Sequence, residues 1–162
     1  MKKGLLILLV LICSFGLAHG ASNLALSRAS AKIGYNFDFE QLVLGADLNL
    51  GTLARDLYLV PQLEFSLGGD YSVFSIDGTL QYYFPTSGTI RPYAGGGLGF
   101  RTVSWDVGPG LDGSDTDFVL CVLGGADYDI GNPNMHLFTD LKIRFMGWGS
   151  DMGLWFGVSF AL

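Results

Sequence analysis

Along most of the chain, apolar and polar residues alternate with a period of two. The pattern is cleanest at the C-terminus. Leu154, Phe156, Val158, Phe160 and Leu162 share one face, and Trp155, Gly157, Ser159 and Ala161 the other. Upstream, Leu137, Thr139, Leu141, Ile143 and Phe145 alternate with Phe138, Asp140, Lys142 and Arg144. A helix would scatter these charges around its circumference, whereas a strand puts them on one side. The same alternation predicts strands over 30–37, 42–50, 57–67, 74–84, 90–101 and 117–129. Turn-forming clusters separate the runs: Gly51-Thr52, Gly69-Asp70, Pro85-Thr86-Ser87-Gly88, Gly131-Asn132-Pro133-Asn134 and Gly147-Trp148-Gly149. Eight strands on short links predict antiparallel neighbours, with the longest link over 102–116. Pro61 and Pro92 cannot donate to a ladder, so each is expected at a bulge or a strand end.

The placement of charge decides which way this sheet faces. The face bearing large Leu, Ile and Phe side chains holds no charged residue in any of the eight strands. The other face holds Lys32, Asp47, Glu64, Asp77, Arg91, Arg101, Asp117, Asp127, Asp129, Asp140, Lys142 and Arg144. A soluble up-and-down barrel would turn its apolar face inward. Large side chains on every strand would overfill so small an interior, whereas Gly, Ser and charges of both signs suit it. Both ends of the apolar face are aromatic, as interfacial girdles require. Tyr35, Phe37, Phe65, Phe74, Phe100, Phe118 and Phe145 mark one rim, and Tyr82, Phe84, Tyr128 and Phe160 the other. The expectation is an all-β fold: an eight-stranded antiparallel up-and-down transmembrane β-barrel.

Inside such a barrel, Lys32, Arg91, Arg101, Lys142 and Arg144 oppose Asp47, Glu64, Asp77, Asp127 and Asp140. Five bases against five acids predict a charge network that plugs the lumen. Eight strands leave room for side chains but not for a wide channel. Inward Gly95, Gly97 and Gly99 are expected to admit long side chains from neighbouring strands.

Composition agrees once the N-terminus is set aside. Lys2 and Lys3 precede an apolar run over 5–12, and Ala18-His19-Gly20 offers small residues for cleavage. This is the pattern of a secretory signal peptide over 1–20, leaving 21–162 as the barrel domain. The apolar run is shorter than the ~20 residues of a spanning helix. The longest later stretches without charge, 78–90 and 152–162, are shorter than that too and carry internal glycine. Only 15% of residues are charged and 24 are glycine. The formal net charge of -6 excludes a nucleic-acid binder built on bulk positive charge. Beyond the leader Cys121 stands alone, so no internal disulfide is expected there.

The run Arg91-Pro92-Tyr93-Ala94-Gly95-Gly96-Gly97-Leu98-Gly99-Phe100, after Tyr82-Tyr83-Phe84-Pro85, resembles small bacterial outer-membrane barrels of the OmpX and OmpA transmembrane-domain type. Lys32-Ile33-Gly34-Tyr35-Asn36-Phe37 is similar to their first strand. The ending through Phe156, Val158, Phe160 and Leu162 is similar to their C-terminal assembly signal, which usually closes on Phe where this chain has Leu. The resemblance implies a chain of the cell outer membrane of a diderm bacterium, monomeric and without cofactor. Its implied partners are outer-membrane lipid, lipopolysaccharide and the barrel assembly machinery, the last through the C-terminal strand. With both termini in the periplasm, links 1–2, 3–4, 5–6 and 7–8 face outside.

Candidate chemistry is sparse, and the expectation is a non-enzymatic barrel with a structural or surface-interaction role. Outside the leader, His136 is the sole imidazole, with Thr139 and Asp140 close in sequence. Outer-membrane lipid A deacylases and palmitoyltransferases are barrels of this kind, but the outer rim carries no matching His-Ser pair. The segment Asp112-Gly113-Ser114-Asp115-Thr116-Asp117, with Asp106 nearby, offers oxygen ligands for Ca²⁺ but lacks the EF-hand register. It reads as a solvated acidic loop. The alternatives are a narrow pore, an outer-leaflet lipid-modifying enzyme and a soluble barrel for an apolar ligand.

Overall fold

The computed structural model describes residues 23–68, 71–106 and 112–162. The expected signal peptide and its boundary lie outside these residues. Among the described residues are eight strands: β1 (Asn23–Asn36), β2 (Gln41–Ala54), β3 (Leu57–Leu67), β4 (Tyr71–Tyr83), β5 (Ile90–Asp106), β6 (Asp112–Asn132), β7 (Met135–Met146) and β8 (Gly149–Ala161). Each pairs antiparallel with its neighbours in the chain, and β8 returns to β1 from Arg28↔Ala161 to Asn36↔Gly153. The sheet is a closed barrel. We call the end where β1 begins and β8 finishes the near end, and the opposite end the far end.

Alternation sorts the side chains as expected. Even-numbered residues of β1 (from Arg28), β3 and β7, and odd-numbered residues of β4, β5, β6 and β8, point inward; so do the odd-numbered residues of β2 up to Asn49. Outward lie Ile33, Leu44, Phe65, Ile76, Leu98, Leu120, Leu141 and Phe156, all exposed in the isolated chain. No charged side chain joins them among the described outward positions. The aromatic rims are present. Phe65 faces Phe74 across β3 and β4. Tyr35 packs edge-on against Phe37 at 5.7 Å, and Tyr82 against Phe84 at 5.3 Å.

Three expectations about strand ends are corrected. The long 102–116 loop is largely ladder: β5 and β6 stay paired from Thr102↔Thr116 to Asp106↔Asp112. The outward residues there, Thr102, Ser104, Ser114 and Thr116, are polar. Hydrophobic alternation ends where the apolar band ends, while backbone pairing continues past it. β7 first pairs with β6 at Leu120↔Phe145, so the hairpin stands above its neighbour. Secondly, Gly51 is not a turn. It adopts φ 88° inside β2, where the β1 and β3 registers both shift, and the chain reverses at Arg55 and Asp56. Thirdly, Gly131 and Asn132 end β6, and the reversal falls at Pro133 and Asn134.

Both prolines are accommodated. Pro61 pairs with Gly78 on β4 and faces the interrupted stretch of the β2 ladder between Asp47↔Gln62 and Thr52↔Tyr58. Pro92 lies just beyond the last β4–β5 rung, Tyr83↔Tyr93, where its carbonyl accepts from the Phe84 N–H at 2.9 Å. The β5 glycines answer a tighter demand than side-chain space alone. A Cβ on Gly95, Gly97 or Gly99 would overlap the β4 carbonyl oxygens of Leu80, Gly78 or Ile76, and that on Gly99 also the Asp77 carboxylate.

Candidate functional site

The inward positions converge on an ionic layer in the middle of the lumen. The Lys32 ammonium on β1 lies 2.7 Å from Asp47 Oδ1 and 2.9 Å from Glu64 Oε1. From the wall opposite Glu64, Lys142 on β7 lies 2.6 Å from the same Glu64 oxygen and 3.4 Å from Asp77 Oδ2, and donates to Gln62. Arg144 donates to Glu64, and to Asp77 Oδ2 at 3.0 Å. Toward the far end Asp151 pairs with Arg101 and lies 3.7 Å from Arg144. All eight charged side chains are buried, as is Gln62. Burying an ion costs several kcal/mol even after relaxation. Here each charge is offset by at least one opposite charge, and Glu64 gathers three.

Trp155 anchors this layer. It is 0% exposed, and the cationic heads of Lys142, Arg144 and Lys32 lie 5.3, 5.4 and 5.9 Å from its ring centroid. These are cation–π distances. The indole fits because its neighbours lack side chains: a Cβ on Gly34 or Gly153 would overlap the ring.

A second, smaller group lies toward the near end. Arg28 and Arg91 converge on Asp127 Oδ2 at 3.1 and 3.4 Å. The Arg91 guanidinium lies 5.5 Å from the Tyr83 ring, which stacks on Tyr93 at 4.8 Å. The Tyr93 hydroxyl donates to Asp140. A cavity of about 30 Å³ between Arg28, Tyr83, Asp127, Asp140, Asn49 and Ser159 has room for about one water molecule.

The ten charges read from the sequence thus divide. Lys32, Asp47, Glu64, Asp77, Lys142 and Arg144 meet in the middle layer, and Arg101 adjoins it on the far side through Asp151. Arg91 and Asp127 belong to the near-end group. Asp140 enters no ion pair among the described residues and is held by a tyrosine. Alternation missed two partners, Asp151 and Arg28. Both lie on the inward phase, just beyond the start of the apolar pattern at Leu154 and Ser30.

Catalytic geometry does not form around His136. It faces Asp129 on one side and Ser159 on the other. His136 Nδ1 and Ser159 Oγ are both without a hydrogen-bond partner, so no relay joins them. Thr139 points outward and donates to the Trp155 carbonyl at 3.0 Å. Of the acidic segment, Asp117 accepts from the Trp148 indole, and the Asp106 and Asp112 side chains lie outside the described set. Among the described residues no group of three or more His, Cys, Asp or Glu is placed to hold a metal ion. The C-terminal residues Phe156, Phe160 and Leu162 are exposed and Val158 is half-buried.

No family model matches the chain, and no curated protein matches it in sequence. Solved structures do. The N-terminal β-barrel domain of Pseudomonas aeruginosa OprF is 16% identical, with a TM-score of 0.73 over 88% of this chain and 100% of that one. The fold is that of the small outer-membrane barrels. Ail, the attachment invasion locus protein of Yersinia pestis, is 11% identical with a TM-score of 0.59, over 83% of this chain and 95% of its own. The outer membrane enzyme PagL is 13% identical with a TM-score of 0.54, over 83% and 99%. One architecture therefore serves an enzyme and proteins not described as enzymes.

Proposed function

We propose that the chain is an integral outer-membrane barrel with a sealed lumen, acting as a structural or surface-interaction element rather than as a catalyst. The observation that carries this reading is the inversion of the fold. Every strand turns hydrocarbon outward, while the buried charges face one another inside. Closure satisfies the backbone without a free edge between the rims, as a hydrocarbon surrounding requires. The aromatic residues at both ends of the apolar band suit the two interfaces. In this reading the near end is periplasmic and the far end external. The external surface includes the β5–β6 hairpin, where the stretch of β6 before Leu120 carries Asp115 and Asp117 and has no β7 rung.

The partners follow from the same surfaces. Outer-membrane lipid and lipopolysaccharide meet the apolar band. The assembly machinery reads Phe156, Val158, Phe160 and Leu162 on β8, a strand presented to β1 only on closure. The protein acts as a monomer after removal of a leader over 1–20. Membrane fractionation of expressing cells tests the core of the reading. The expected product resists carbonate extraction and migrates differently on gels before and after heating; a carbonate-soluble product would refute it. Planar bilayers decide the state of the lumen. The expected trace lacks stable single-channel steps, and reproducible steps would establish the narrow pore instead.

A further inference from the structure

The far mouth of the lumen holds a feature that the ionic layer does not need. Phe39 belongs to the turn between β1 and β2, yet its ring lies 4.7 Å from the guanidinium of Arg101 on β5. β5 stands across the barrel from β1. Arg101 spans the lumen to reach Asp151 on β8, the neighbour of β1, and the Phe39 ring lies against its guanidinium at the mouth. Its backbone is fixed for that purpose. The buried Asn36 side-chain oxygen accepts the N–H groups of Asp38 and Phe39 at 3.0 and 3.1 Å. Asp38 in turn accepts the Met152 N–H of β8 at 2.7 Å. Glu40, with φ 53°, closes the turn in the left-handed region.

A second aromatic braces the first. Trp148, from the β7–β8 turn, packs edge-on against Phe39 at 6.0 Å with an interplanar angle of 89°. Its indole N–H is tied to the Asp117 carboxylate on β6. Two turns from opposite flanks of the β1–β8 seam thus meet over the opening, each secured to a different strand. By contrast Phe37, two positions before Phe39, points outward with the aromatic rim.

We propose that Phe39, braced by Trp148, is a stopper of the lumen at the far end, separate from the ionic layer below it. The barrel then has two seals in series. An aromatic one keeps water from Arg101 and Asp151, and an ionic one crosses the midline through Glu64 and Asp77. The proposal rests on the sealed-barrel reading for the ionic seal and for which side is external, and the aromatic stopper is tested apart from both. Opening the stopper alone exposes the upper lumen without creating a continuous path.

A cysteine reporter tests this. Ser75 is buried, points inward and lies between Glu64 on β3 and Arg101 on β5 in the register, at the top of the ionic layer. The variant S75C in a C121S background places a near-isosteric thiol beneath the stopper. Its reaction with a small cationic methanethiosulfonate is followed by mass spectrometry on the folded protein in detergent micelles. Adding F39A should accelerate labelling about tenfold, the scale of a lost cation–π contact, and W148A should do so without altering the β1–β2 turn. F37A should leave the rate unchanged. Unchanged labelling in both F39A and W148A, with heat-modifiable mobility intact, overturns the stopper, as does equal acceleration by F37A. Cys121, level with Arg144 in the register, separates the two readings. With only F39A introduced into the native chain it should stay unlabelled, and rapid labelling there would sink the ionic seal while leaving the aromatic one standing.

Discussion

Lys142 and Glu64 stand 78 positions apart in the chain, yet the lysine ammonium lies 2.6 Å from the carboxylate inside the barrel. Glu64 also serves Lys32 and Arg144. Replacing it leaves three buried cations to share the neighbouring aspartates. Breaking a buried pair costs about 3–5 kcal/mol, because the stranded charge keeps its desolvation penalty. E64Q should therefore lower the unfolding temperature in micelles substantially. K142A and R144A should lower it too, since each strands carboxylates instead. Heat-modifiable gel mobility across a temperature series measures all three. Unchanged midpoints for K142A and R144A would remove the ionic layer from the account of stability.

The near-end group should behave differently. Asp127 is buried, but its partners are not: the Arg91 and Arg28 side chains are 40% and 25% exposed. Freed of the carboxylate, each guanidinium can turn to water. Solvent-accessible pairs contribute about 0–1 kcal/mol, so D127N should shift the midpoint far less than E64Q. A loss equal to that of E64Q would show that the near end is as closed as the middle.

Much of this architecture was legible because the sorting rule is simple. A period of two with one uncharged face fixes strand count, facing and the inward set. Asp47, Glu64, Asp77, Lys142 and Arg144 could all be placed inside before any contact was known. Pairing was not legible, since alternation gives the phase of a residue but not its height on the barrel. Arg91 and Arg101 lie on one strand at equal phase, yet they serve opposite ends. Asp151 and Arg28 escaped because the hydrophobic signal stops before the strands do. Phe39 escaped for the opposite reason: an aromatic in a turn carries no periodicity, and only the fold shows that it meets Arg101 at the far mouth.

The same sorting predicts an asymmetric response to added charge. Val122 faces outward on β6, between the aromatic rim residues Phe118 and Tyr128. An arginine at the midplane of a lipid face costs roughly 2–4 kcal/mol. V122R should reduce folding yield into lipid vesicles and lower stability by about that amount. T116R, outward on the same strand but in the polar stretch beyond the apolar band, should be tolerated. If both variants behave alike in vesicles, the face that carries Val122 does not meet hydrocarbon.

Strand approach supplies the last prediction. Gly97 on β5 pairs with Thr79 on β4, and a Cβ there would overlap the Gly78 carbonyl. The obstacle is backbone, which cannot rotate aside as a side chain can. Overpacking a well-filled interior costs about 1–3 kcal/mol when side chains yield, and G97V should exceed the lower part of that range. Gly147 offers the comparison. It lies in the β7–β8 turn, and nothing stands within 4 Å of a Cβ placed on it. G147A should leave midpoint and folding yield as they are. The two variants are compared by refolding yield and thermal midpoint in the same micelles. A stable, fully refolded G97V would mean that β4 and β5 can separate locally without opening the barrel, and the glycine run would then owe its place to something other than close strand contact.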